Sequence, residues 1–251
     1  MVIFVAGMSR SGSMWTFNVT REGIRKSGRK PLPEIVPSDE RPVIQKALAS
    51  PPREDGVYCI KTHLLLRPGL PNVKIICTYR DVREAMVSYM QFVRCDFTRG
   101  LEAARSMMSV VDYYFLEHRE NILRIRYDRI LSKPVEVIRE ILTFLDLSVS
   151  PRDISLIAEQ FSRDRIAKFI ESLNAVRVTG NGAIADPGLR GGFETVGNFD
   201  GSFRVYDKKS AFQSRHITKS GERWREFLTG EQQAQVMAIT SDWLVKYGFP
   251  P

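Results

Sequence analysis

The chain has 251 residues, 43% hydrophobic and 26% charged, and its 37 Lys and Arg against 29 Asp and Glu give a net charge of +8. That length and balance suit one folded core and exclude an intrinsically disordered chain. The positive excess suits an anionic ligand, yet the basic residues are scattered with no run of five or more, which argues against a nucleic-acid arm, and no apolar stretch approaches the ~20 residues of a membrane span.

The apolar run Val2–Ala6 predicts a buried strand, too short and too lacking in a preceding basic region to be a signal peptide. Gly7-Met8-Ser9-Arg10-Ser11-Gly12-Ser13-Met14-Trp15 follows directly. This reads as a strand, a glycine-bracketed loop and a helix start, in which backbone N–H groups converge on an anion at the positive end of the helix. A nucleotide-kinase loop places Lys and then Ser or Thr straight after its second glycine. Here Ser13 and Met14 follow Gly12, and a cation, Arg10, lies inside the loop. Such a loop can hold phosphate without a metal. The plain alternative is a glycine-bearing turn with no ligand.

A proline-rich connection through Pro31, Pro33, Pro37, Pro42, Pro51 and Pro52 comes next, with a short helix around Val43–Ala49. A second strand near 57–61 ends in Lys61-Thr62-His63. Open α/β sheets take ligands at the C-terminal ends of their strands, where an imidazole can accept a proton near neutral pH. A lone histidine at a strand end is otherwise an ordinary hydrogen-bonded group. A third strand, 73–79, leads into Arg80 and a helix carrying Ser88, eight positions on (88 − 80), about two turns into it. An arginine fork and a hydroxyl can together grip a phosphate monoester. Taken singly, Arg80 could instead pair with Asp81 or Glu84, and Ser88 could face solvent.

The longest helix is predicted around 100–119, then a strand at 122–126 ending in Tyr127-Asp128, then two or three helices over 134–173, the first opened by Pro134. Seven glycines between Gly180 and Gly201 break up the segment 174–214, which reads as a long loop or lid. Beyond it lie Arg215, Lys219, Gly221 and Trp224, and a helix running to about Tyr247. Cys59, Cys77 and Cys95 are too few and too spread for a metal cluster or a disulfide framework, and suit a reducing compartment.

These motifs, in this order, resemble the sulfotransferases that use 3′-phosphoadenosine 5′-phosphosulfate (PAPS). Their phosphate loop reads basic-Ser-Gly-Thr/Ser-x-Trp, matched by Arg10, Ser11, Gly12, Ser13 and Trp15. Their K-T-H strand end is matched by Lys61-Thr62-His63, and their Arg-to-Ser 3′-phosphate motif by Arg80 and Ser88. The resemblance implies a single α/β domain over 1–251, with a central parallel sheet flanked by helices, related to P-loop NTPases, and 174–214 as its lid. It implies PAPS as donor, 3′-phosphoadenosine 5′-phosphate (PAP) as product, and no metal requirement. His63 would be the catalytic base, with Arg10 and Lys61 stabilising the leaving phosphate. The loop from Arg10 through Met14 would hold the 5′-phosphosulfate, with Trp15 on the adenine and Tyr127 near it. Arg80 and Ser88 would take the 3′-phosphate, helped by Arg215 or Lys219.

This chain departs from the family pattern in several places: Asp128 follows Tyr127 directly, which shortens the family's Tyr-Glu-Asp-Leu strand end, and the family's Arg-Lys-Gly element is not contiguous here. Arg10 stands where lysine is usual, and Gly221 lies three rather than two residues before Trp224. The implied acceptor is a hydroxyl of a small molecule or glycan, with neither nucleic acid nor membrane as partner, a homodimer possible, and cytoplasmic residence. Its pocket is expected from the proline-rich segment, the residues after His63, the region 89–115 with Met90, Phe92, Tyr113 and Tyr114, and the lid; those side chains could equally be core. An ATP-using P-loop kinase and a catalytically silent nucleotide-binding protein are the other readings.

Overall fold

A computed structural model describes residues 1–50, 55–215 and 223–251. The chain runs β1 (Val2–Gly7), α1 (Ser13–Lys26), β2 (Lys30–Leu32), α2 (Arg41–Ala49), β3 (Gly56–Lys61), β4 (Val73–Tyr79), α3 (Val82–Val93) and α4 (Phe97–Glu117). It continues through β5 (Ile122–Arg126), α5 (Tyr127–Ser132), α6 (Pro134–Phe144), α7 (Pro151–Gln160) and α8 (Arg163–Asn174). A 3₁₀ turn, β6 (Phe193–Gly197), β7 (Phe203–Asp207), α9 (Arg223–Phe227) and α10 (Gly230–Lys246) complete it.

The five strands β2-β3-β1-β4-β5 form one sheet in which every neighbouring pair is parallel. β1 lies at its centre, and Val2 through Ala6 are all buried, because a parallel strand covered on both faces has no polar side to show. One helical layer holds α1 against α6 and α7, with Phe17, Ile24, Ile138, Ile141 and Leu142 in its core. The opposite layer packs α3 with α4, α9 and α10 around Met86, Met90, Met107, Trp243 and Leu244. This is the predicted α/β class with its flanked parallel sheet. No helix among the described residues is long and apolar enough to cross a membrane.

The structure departs from the sequence reading in three elements. The proline-rich connection, read as carrying one short helix, also supplies β2, a three-residue strand that contains Pro31, which sheet edges tolerate. Tyr127 does not end a strand but opens α5. The glycine-rich segment carries an antiparallel hairpin, β6 with β7; β7 buries Arg204 and Asp207 beside Val205 and Tyr206, so it shows none of the apolar–polar alternation that marks a strand.

Candidate active site

The parallel sheet brings the ends of β1, β3 and β4 to one edge, and the loop after β1 is shaped there by two glycines. Gly7 has φ 105°, and a Cβ on it would stand 2.2 Å from the carbonyl oxygen of Thr78, so only glycine closes this strand end. Met8 N donates to that same carbonyl at 3.2 Å. The buried Ser11 hydroxyl lies 2.7 Å from the Met8 carbonyl and 2.7 Å from Thr78 Oγ1. The hydroxyl therefore holds the loop on the sheet, and what Ser11 offers a ligand is its N–H. Ser13 and Met14 are buried as well and offer theirs.

Arg10 (φ 63°) and Gly12 (φ 88°) both adopt the left-handed conformation. Among the described residues no backbone carbonyl takes up the N–H groups of Ser11 through Trp15. A row of unclaimed donors at the start of a helix is an anion cradle. Gly12→Ala tests the shape of this loop: its Cβ would lie 2.6 Å from Ile130 Cδ1 and 3.0 Å from Tyr127 Cδ2. Left-handed strain and overpacking together should cost about 2–4 kcal/mol, lowering Tm by roughly 5–15 °C. Calorimetric melting checks this, and an unchanged Tm would mean that the loop relaxes freely.

Cations surround the cradle. Arg10 donates through Nε to Ser88 Oγ at 3.0 Å, and its guanidinium lies 4.4 Å from the ring centre of Phe92. Burial and the neighbouring Arg80 and Arg204 push its pKa down to about 10, partly offset by Tyr127, so it stays charged at neutral pH. Arg80 sits at the end of β4, 4.4 Å from the ring centre of Tyr127 and 3.4 Å from Glu84. The alternative partner for Arg80 is thus present, but on the wall of the same cradle. Arg204, which the sequence does not single out, is buried, 4.1 Å from the Phe92 ring, and donates to the Phe92 carbonyl at 3.1 Å.

The end of β3 supplies Lys61 and His63. His63 Nδ1 lies 2.9 Å from the Gly7 carbonyl, which can only accept, so the proton sits on Nδ1 and Nε2 keeps its lone pair. Lys61 Nζ lies 2.9 Å from that Nε2 and donates to it. Burial and the Lys61 charge hold the imidazole far below its ordinary range, at about 3, although the Gly7 hydrogen bond pulls the other way. Burial also lowers Lys61, to about 8, against the pull of Glu40.

A neutral His63 follows at every pH above ~5. Because an unfolded histidine binds its proton near 6.5, the stability contributed by this neutral site is complete above pH 6.5 and is lost as pH falls toward 3. In the protein without ligand, the ¹⁵N shifts of the His63 ring should keep the neutral pattern from pH 8 to pH 5. A midpoint near 6.5 would show that neither burial nor Lys61 acts on it.

The remaining predicted residues are less convergent. Trp15 donates its indole N–H to the Phe161 carbonyl at 3.0 Å, leaving only its ring to meet a ligand. Tyr127 lies under Gly12 and beside Arg80. Arg215 is exposed at φ 62°, with its N–H on Asn174 Oδ1 at 2.9 Å. Lys219 and Gly221 lie outside the described residues.

Beside His63 a cleft of about 330 Å³ opens between the loop, α3, α4 and the tip of the β6–β7 hairpin. Tyr89, Arg99, Glu102, Ser106 and Phe199 are on its wall; all five fall in the regions expected to form the pocket, 89–115 and the lid, but none is singled out there, and on α4 Arg99, Glu102 and Ser106 read as a solvated helix face. Of the expected pocket residues, Met90, Phe92 and Tyr114 are buried. Tyr113 and Tyr114 both give their hydroxyls to loop carbonyls, those of Leu66 and Leu64, at 2.5 Å. These four side chains are structural.

An all-parallel sheet whose central strand runs through an anion-binding loop into the first helix is the P-loop type of α/β architecture. The sulfotransferase domain model matches residues 2–177, and the chain belongs to that family. No curated protein matches the sequence. Among solved structures, mouse sulfotransferase SULT7A1 complexed with PAP superposes with a TM-score of 0.63 at 16% identity, covering 97% of this chain and 83% of the other. Retinol dehydratase in complex with androsterone and inactive cofactor PAP gives 0.59 at 19%, covering 97% and 80%. Its complex with retinol and PAP gives 0.58 at 20%, covering 97% and 81%. At these identities the likeness establishes the fold.

Proposed function

We propose that this chain transfers a sulfuryl group from PAPS to the hydroxyl of an acceptor, with His63 as base. The observation that carries the reading is His63 on the wall of the open cleft, its proton fixed on Nδ1 by Gly7 and its Nε2 lone pair beside Lys61. PAPS, when bound, supplies an activated sulfuryl group whose departure leaves a phosphate. The unclaimed N–H groups of the loop, with Arg10, Arg80 and Ser88 beside them, form a donor set that fits such an anion.

Once the Lys61 ammonium turns from His63 Nε2 to the leaving phosphate, Nε2 accepts the acceptor's hydroxyl proton. Arg10 and Lys61 hold positive charge where negative charge gathers. Arg10 keeps its protons at the pH of the reaction, so its part is electrostatic rather than that of an acid. Arg80 and Ser88 are assigned to the 3′-phosphate, Trp15 and Tyr127 to the adenine side, and Arg215 with Lys219 to a second grip. Residues 174–214 belong to the same single domain and roof the acceptor cleft. Three free thiols suit the reducing cytoplasm. The test is PAP release from PAPS: release that depends on an added hydroxyl acceptor supports the reading, and no release with any hydroxyl acceptor, where PAP itself binds, refutes it.

A further inference from the structure

We propose that the acceptor is a neutral, polyhydroxylated molecule of the sugar or polyol class, selected by Glu102, Arg99 and Ser106; this rests on the sulfotransferase reading of the same site. Arg99, Glu102 and Ser106 stand at i, i+3 and i+7 of α4, one face of the helix, and all three line the cleft that holds His63. Among the described residues, the Glu102 carboxylate and the Ser106 and Tyr89 hydroxyls have no hydrogen-bond or ion-pair partner in the protein. The Arg99 guanidinium only stacks, 4.6 Å from the ring centre of Phe199. Elsewhere on α4 the hydroxyls of Tyr113 and Tyr114 are committed to backbone carbonyls, whereas those of Tyr89 and Ser106 are open to the cleft.

An apolar alcohol seated there would strip water from a carboxylate and two hydroxyls and return nothing. A sugar returns what is lost: neighbouring hydroxyls donate to Glu102, and Arg99 donates to hydroxyl or ring oxygens. Its C–H face meets Ala103, Met107 and the exposed ring of Phe199. That ring is held in place, because Phe199 N donates to the Val93 carbonyl at 3.1 Å and Asp200 pairs with Arg94 at 2.7 Å. The opposite charges of Arg99 and Glu102 leave this wall with no net charge, so an anionic acceptor gains nothing from it. The androsterone and retinol that accompany the superposed retinol dehydratase supply the contrasting chemistry.

The experiment offers the full chain PAPS with glucose, trehalose, myo-inositol, glucuronate, androsterone or retinol, and repeats it with Glu102→Gln and Ser106→Ala. Expected is sulfation of a neutral sugar or polyol with kcat/KM at least ~10-fold above either apolar alcohol. Glu102→Gln should raise its KM by ~10-fold or more, with PAP affinity unchanged. Preference for androsterone, retinol or glucuronate, or an unmoved KM in Glu102→Gln, overturns the proposal. Should no acceptor turn over, saturation-transfer NMR on the PAP-loaded protein decides. Contact with a neutral sugar or polyol that vanishes in Glu102→Gln supports it, and contact with none refutes it. Failure of the parent protein to bind PAP is a separate result that strikes the sulfotransferase reading itself.

Discussion

His63→Ala is expected to slow sulfuryl transfer by about 10²–10⁴-fold, the usual worth of a positioned proton acceptor, while PAP binding stays within a few-fold of the parent. The separation follows from where His63 stands. Its ring lines the cleft and touches Lys61 and the Gly7 carbonyl, whereas Arg80 stands at the end of β4, across β1 from the strand that carries His63. Placement must be told apart from chemistry, because the His63 bond to Gly7 also braces the strand end from which the loop springs. His63→Asn does this: its amide can still donate to Gly7 but has no basic nitrogen. Equal loss in both variants, read as PAP release, assigns the proton to His63. Loss in Ala alone assigns only a bracing role, and retained turnover in both removes His63 from the reaction.

The strands were legible wherever both faces are buried, since β1, β3 and β4 are short, largely apolar runs bounded by turn residues. The anion loop was legible because glycine is needed where φ is positive or a Cβ would strike backbone, as at Gly7 beside Thr78. Arg10 hides the same geometry, since its left-handed φ cannot be read from an arginine. Side-chain roles decided by tertiary partners were not legible. Ser11 reads as one residue of the anion loop, and only the structure shows that its hydroxyl is tied to Met8 and Thr78. Arg204 reads as one more scattered cation, yet it is buried against Phe92 beside Arg10. Arg99, Glu102 and Ser106 have the spacing of an ordinary solvated helix face, and only the arrival of the hairpin tip turns that face into a cleft wall.

PAP should bind ~10–100-fold more tightly than ADP in calorimetric titration, with no effect of magnesium, and Arg80→Ala should erase most of that difference. The magnitude is that of one or two charge-assisted hydrogen bonds to a phosphate. Arg80 is set up to provide them by its stacking on Tyr127 and by Glu84, which accepts from it at 3.4 Å and from Trp224 N at 3.3 Å. Ser88 accepts from the Arg10 guanidinium at 3.0 Å and so ties the helix proposed to face the 3′-phosphate to the loop. Arg80→Lys keeps the charge but not the planar fork, and should retain only part of the preference. ADP affinity should barely move in either variant, because ADP presents nothing for this pair to hold. If Arg80→Ala weakened both ligands alike, Arg80 would be acting through Tyr127 and the loop beneath it rather than on the 3′-phosphate. A magnesium-dependent preference for ADP would instead make the loop a kinase site, in which the missing lysine after Gly12 would have to be supplied from elsewhere. On the proposed reading the 3′-phosphate is the part of the donor that separates the two chemistries, and Arg80 is the residue on which that separation is expected to turn.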